Sequence, residues 1–148
     1  MSDNLLKAIL NLLVIVAQED EVTTSERQAI QEFLDENVNS DECAKYMEYF
    51  EEQVSSYAHS NESDEKKEII NLSYKVNKEL KQEQKLVVLL RLMELIVADG
   101  KISAREKELL YLIGTSLNFP NNVIDHLKSY VVGEKATDFA AKSVTDVT

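Results

Sequence analysis

One cysteine, one proline, three glycines and no tryptophan stand among 148 residues, and each scarcity removes a class of protein. Cys43 alone can form neither an internal disulfide nor a thiolate zinc cluster, so a reducing, cytoplasmic compartment is expected. Three glycines leave no material for a loop that cradles phosphate on its backbone. The longest apolar run, Leu12 to Ala17, is far short of the roughly 20 residues a bilayer needs, and nothing resembles a signal peptide. Direct membrane insertion is therefore not expected. Bases are scarce as well: 16 Lys+Arg face 27 Asp+Glu, a formal charge of −11. That balance disfavours a nucleic-acid backbone and favours cations or basic partners. His59 and His126 have no second His or Cys at ligand spacing, and no nucleophile motif is present, so neither a histidine-based zinc site nor an enzyme is expected.

Hydrophobic residues at 44% and charged residues at 29% mark a folding chain, and its length suits one domain. Apolar residues recur at helical intervals without alternating β-branched runs, which predicts an all-α domain of seven helices. They run over Asp3–Gln18, Thr24–Glu36, Asp41–Ala58, Ser63–Glu79, a fifth helix ending at Ala98, Ala104–Leu117, and a last one opened by Pro120 and ending before Gly133. The inward residues are Leu6, Ile9, Leu10, Leu13, Val16 and Ala17 in the first helix and Ile69, Ile70, Leu72, Tyr74 and Val76 in the fourth. In the fifth they are Leu86, Leu89, Leu90, Met93, Ile96 and Val97, after a polar interruption at Lys81 to Gln84. Residues 1–132 form the expected domain, and 133–148, with Phe139 as the one large apolar residue, a tail or linker. Tyr46, Tyr49, Phe50 and Tyr57 recur at helical spacing, as core and rim packing or as an aromatic groove for a partner helix.

Sliding the chain by 80 residues aligns Leu6, Ile9, Leu10, Leu13 and Val16 with Leu86, Leu89, Leu90, Met93 and Ile96. Val22-Thr23 then falls on Ile102-Ser103, and Glu26-Arg27 on Glu106-Lys107. The offset is too long for a solenoid repeat. It predicts a bundle-like domain with an internal pseudo-two-fold repeat of helical hairpins. Charge is uneven: residues 1–74 hold 17 acids and 5 bases, residues 75–148 hold 10 acids and 11 bases. The acidic half is either a solvated surface or a face for a basic partner.

The stretch Val97-Ala98-Asp99-Gly100-Lys101-Ile102-Ser103-Ala104-Arg105-Glu106, preceded by a Leu-rich helix and followed by Leu109, Leu110 and Ile113, resembles the signature turn of the TerB-like domains. That family includes tellurite-resistance proteins and the acidic helical domain of membrane-anchored DnaJ-type co-chaperones. The first copy, Glu19-Asp20-Glu21-Val22-Thr23-Thr24-Ser25-Glu26, keeps the acids but has Asp20 where the second has Gly100. The resemblance spans residues 3–131 and implies an all-helical fold with internal two-fold symmetry, an acid cluster as a candidate for a metal cation, and no enzymatic activity. Family members also occur as modules of larger, membrane-associated or transport proteins. A structural or regulatory domain of an ABC-transporter-type protein, docked or fused at the inner face of the membrane, is thus the alternative to a free-standing, stress-related interaction module.

Two readings of the acids stand side by side. Ser103-Ala104-Arg105-Glu106 and Thr23-Thr24-Ser25-Glu26 are capping boxes, which alone account for Glu106 and Glu26. Capping does not account for Asp99, Glu19, Asp20 or Glu21, since a carboxylate at a helix C-terminus meets the negative end of the macrodipole. A divalent cation (Ca²⁺, Mg²⁺ or Zn²⁺) held weakly by Asp99, Glu106, Glu19, Asp20 and Glu26 would reverse that cost. A protein partner and a monomer or weak dimer complete the expectations.

Overall fold

The computed structural model describes residues 2–17, 22–57, 62–97 and 102–136. They form seven helices and no strand: α1 (Asp3–Ala17), α2 (Thr24–Asn37), α3 (Ser40–Tyr57), α4 (Glu62–Glu79), α5 (Gln82–Ile96), α6 (Ala104–Ser116) and α7 (Asn121–Ala136). Four polar residues, Asp3, Asn4, Lys7 and Asn11, interrupt an otherwise apolar α1, and every residue from Leu12 to Ala17 is buried. A helix that is apolar round its girth has to be covered on every side. α1 accordingly packs against α3, α4, α5 and α6. Leu5, Ala8, Leu12, Val14 and Ile15 are buried alongside the expected stripe, so the buried surface of α1 is wider than one face. At about 1.5–3 kcal/mol for each fully buried large aliphatic side chain, α1 anchors the core.

The other helices bury one side. In α4 that side carries Ile69, Leu72 and Val76, while Ile70 and Tyr74, expected inward, are 54% and 62% exposed. The correction is geometric: at about 100° per residue, a face through 69, 72 and 76 turns 70 and 74 outward. In α5 the inward set includes Val88, Leu92 and Leu95, and Leu86 lies at the surface with 36% exposure, unlike its counterpart Leu6. The polar stretch Gln82–Gln84 is already helical: it forms the exposed first turn of α5, where the Gln84 side chain accepts the Lys81 N–H at 2.9 Å.

Polar contacts fix helix ends and helix pairs. Lys85, buried, donates from Nζ to Asn77 Oδ1 at 2.9 Å, and Asn77 Nδ2 donates to the Ser116 carbonyl at 2.9 Å, joining α5, α4 and the end of α6. α6 stops in a Schellman motif, with Phe119 N–H on the Gly114 carbonyl, Asn118 N–H on the Thr115 carbonyl, and Asn118 in the left-handed region at φ 71°. A Cβ on Gly114 would stand 2.5 Å from Ile124 Cδ1, so this glycine permits the close approach of α6 and α7. The Pro120 carbonyl accepts the first N–H groups of α7, which puts Pro120 just outside the helix. α7 continues through Gly133 to Ala136, past the expected end. Gly133 lacks the positive φ of a helix-ending glycine, and glycine inside a helix costs only about 1 kcal/mol.

Two tests follow from these contacts. Asn118→Val forces a β-branched residue into the left-handed region and is expected to lose about 1–2 kcal/mol in chemical denaturation; an unchanged midpoint refutes the strained cap. Tyr46 Oη donates to Asp3 Oδ1 at 2.7 Å, tying α3 to α1. This bond, with burial second, pushes the phenol up to about 12 and, with Lys7, lowers Asp3. The Tyr46 contribution to stability is complete below the ordinary phenol range near 10 and is lost as pH rises through about 12. The Asp3 contribution is present above the ordinary carboxylate range and is lost as pH falls. In a phenolate absorbance titration Asp3→Asn should move one late-ionising tyrosine back toward the ordinary range, and an unaltered curve removes the contact.

Candidate cation site at the acidic turns

The chain between α1 and α2, and between α5 and α6, carries the acids singled out in the sequence, and the entry of each following helix is well defined. Thr23 is the N-cap of α2: its Oγ1 accepts the Glu26 N–H at 3.1 Å, and its own N–H donates to Glu26 Oε1 at 2.8 Å. Ser103 caps α6 in the same way, accepting the Glu106 N–H at 3.0 Å and donating to Glu106 Oε1 at 3.0 Å. The two caps, 80 residues apart, share backbone geometry, with φ, ψ of −80°, 167° at Thr23 and −78°, 164° at Ser103. Ser or Thr three residues before Glu is the local reason: each side chain satisfies an N–H the helix leaves open. Glu26 is buried, and Glu106 half-buried.

Asp99, Glu19 and Asp20, with Glu21, lie outside the described residues. Of the five candidate ligands, Glu26 and Glu106 are thus placed, each with its carboxylate accepting the N–H of its cap residue. Among the described residues no group of three or more His, Cys, Asp or Glu side chains is arranged to hold a metal ion. The ends of α1 and α5 that lead into these turns have no basic residue in their last turn to balance the carbonyl dipoles.

Sequence reasoning missed the arginines beside the caps. Arg27 donates from Nη1 to the Val22 carbonyl at 2.6 Å and grips both Glu51 oxygens from Nε and Nη2, pinning the exit of the first turn to α3. Arg105 Nη2 donates to Glu65 Oε2 at 2.6 Å, pinning the start of α6 to α4, and its buried Nη1 has no partner among the described residues. The available signal was an arginine adjacent to the capping glutamate in both copies, Glu26-Arg27 and Arg105-Glu106.

The remaining candidates resolve as packing. Cys43 is buried and its thiol donates to Asp35 Oδ1 at 3.4 Å; burial first, then that carboxylate, push the thiol up, away from nucleophilic use. His126 is exposed on α7, and His59 lies outside the described residues. Phe50 and Tyr46 are core, and Tyr49 and Tyr57 pack half-buried against it, so the aromatic row of α3 forms core and rim.

The family described as Tellurite resistance protein TerB matches residues 6–129. The chain belongs to the TerB family. No curated protein and no solved structure matches it. The matched span of the TerB domain runs from α1 into α7 and includes both capping boxes. Among the described residues, no helix is long and apolar enough to cross a membrane.

The two halves of each capping box can be weighed against each other. Ser103→Ala and Thr23→Ala are each expected to cost about 0.5–2 kcal/mol by chemical denaturation. Glu106→Gln should cost less than Ser103→Ala, because Gln still accepts the Ser103 N–H. A larger loss in Glu106→Gln would mean that its charge serves something besides the cap.

Proposed function

We propose that this TerB domain is a non-catalytic helical module of the cytoplasm, serving protein interaction in a stress response, whose acidic turns bind a divalent cation weakly. The observation that carries the reading is the pair of capping boxes, which fix Glu26 and Glu106 immediately after acid-bearing turns and after helix ends with no basic residue. Glu19-Asp20-Glu21 and Asp99 follow the C-termini of α1 and α5 in sequence, where a carboxylate is unfavourable unless a cation offsets it. Carboxylates with free main-chain carbonyls are the oxygen donors that Ca²⁺ and Mg²⁺ take. The excess of 17 acids over 5 bases in residues 1–74 supports a basic protein surface as partner. A single, buried cysteine agrees with a reducing compartment.

The decisive measurement is the thermal midpoint in chelator and then in millimolar Ca²⁺, Mg²⁺ or Zn²⁺, with monovalent salt controlling for screening of the −11 charge. One ion is expected to raise the midpoint; at 100 times its dissociation constant it contributes about 2.7 kcal/mol. Asp99→Asn should abolish that rise while leaving the metal-free protein as stable as before or more so. A midpoint unmoved by all three ions leaves these acids as caps and surface charge.

A further inference from the structure

We propose that the cleft between α1, α3 and α4 is a binding site for a small organic phosphate, with the phosphate held by lysines and the carbon part lying on an apolar floor. The cleft, about 480 Å³, lies within the range of about 300–1,000 Å³ typical of small-molecule sites. Its first wall is the one polar stripe of the central helix: Asn4, Lys7 and Asn11 fall on a single face of α1. Lys75 and Lys78 of α4 stand opposite, and Tyr49 of α3 borders the space between them. The core helix thus turns its only hydrophilic face into a concavity closed by two other helices.

The charge there is opposite to that of the molecule. Three lysines line the cleft against one acid, Glu79, in a chain of net charge −11. Both oxygens of Glu79 receive the Ser2 hydroxyl, at 3.1 and 3.0 Å. Lys7 is held 5.1 Å from the centre of the Tyr49 ring and 3.2 Å from Asp3, whose other oxygen is taken by Tyr46. Among the described residues Lys75 and Lys78 make no ion pair; the Lys78 ammonium rests over the exposed Tyr74 ring. The Tyr49 hydroxyl accepts from Asn11 Nδ2 at 2.8 Å, which leaves the phenol proton for an acceptor.

Two ammonium groups without an ion pair among the described residues, a third shared with Asp3 and a phenol donor match a ligand of about two negative charges rich in acceptor oxygens. A phosphate monoester carries about −1.5 to −2 near neutral pH and three such oxygens. The floor, Ala8 and Leu72, is buried and apolar, and a bare phosphate ion would leave it wet. The chain's overall negative charge repels an anionic bilayer, so a free small molecule is favoured over a lipid headgroup.

The probe is phenyl phosphate, titrated into the full chain and followed by amide chemical shifts, with inorganic phosphate and with sodium chloride at matched ionic strength beside it. Saturable shifts at Lys7, Asn11, Tyr49, Lys75 and Lys78 are expected, weaker affinity for inorganic phosphate, and no matching shifts with chloride. Lys75 and Lys78 are exposed, so Lys75→Glu with Lys78→Glu should keep the helical spectrum and weaken phenyl phosphate at least about tenfold. Lys75→Gln with Lys78→Gln, which removes the charge without reversing it, should give a smaller loss and decides the matter if the Glu pair misfolds. The proposal is overturned by shifts that chloride reproduces, by affinity that the Gln pair retains in full, or by binding to phosphatidic acid vesicles with no response to phenyl phosphate. None of these outcomes depends on a cation at the acidic turns.

Discussion

The burial of α1 is the constraint on which the rest of the fold depends. From Leu12 to Ala17 this helix has no side to offer water, and the hydrophobic term is satisfied once several helices surround it. α3, α4, α5 and α6 do so directly, while α2 reaches the assembly through α3 and α5, and α7 through α5 and α6. The helices around α1 need one apolar face each, which is why they remain strongly charged elsewhere. Among the described residues the acids therefore lie mostly in the outer layer, with Glu26 and Glu65 as the buried exceptions.

Register within that layer is set by a small number of polar contacts. All three arginines bridge helices: Arg27 from α2 to Glu51 of α3, Arg91 from α5 to Glu36 of α2, and Arg105 from α6 to Glu65 of α4. The two more exposed pairs, Arg27–Glu51 and Arg91–Glu36, are worth about 0–1 kcal/mol each, too little to explain stability. Their planar, forked donors instead select one rotation and offset of a helix against its neighbour. Asn77 performs the same task without net charge, joining buried Lys85 to the last carbonyl of α6.

Helix number, order and most boundaries were legible because they depend on period and on caps, both local in sequence. Thr23-Glu26 and Ser103-Glu106 could be read as capping boxes and are capping boxes. What failed to show is what depends on neighbours. Ile70, Tyr74 and Leu86 are apolar at nearly helical spacing, but which face turns inward is decided by the packing of α4 and α5. The turn that ends α6 was invisible for a different reason: Asn118 takes the place that glycine commonly fills, so the usual signal is missing. The arginine partners lie 24, 40 and 55 residues away in sequence, beyond any local pattern. Of the acids proposed as cation ligands, the two with a second, capping role stand on regular helical turns, while Asp99, Glu19 and Asp20 lie outside the described residues.

The polar stripe of α1 illustrates how one sequence feature takes its meaning from its surroundings. Asn4, Lys7 and Asn11 by themselves read as the solvated edge of an amphipathic helix, an ordinary pattern at the start of a chain. Once the remaining girth of α1 is buried, that edge becomes one wall of a cleft that α3 and α4 border. Lys75 and Lys78 belong to α4, roughly seventy residues further on, and come opposite Lys7 only because α4 covers α1. Lys7 is paired with Asp3 and the one lining carboxylate, Glu79, is engaged by Ser2, so among the described residues Lys75 and Lys78 are left without an ion pair. Such an imbalance favours an anion over a cation at this place, and the position of the cleft between three helices adds a requirement of shape to that of charge.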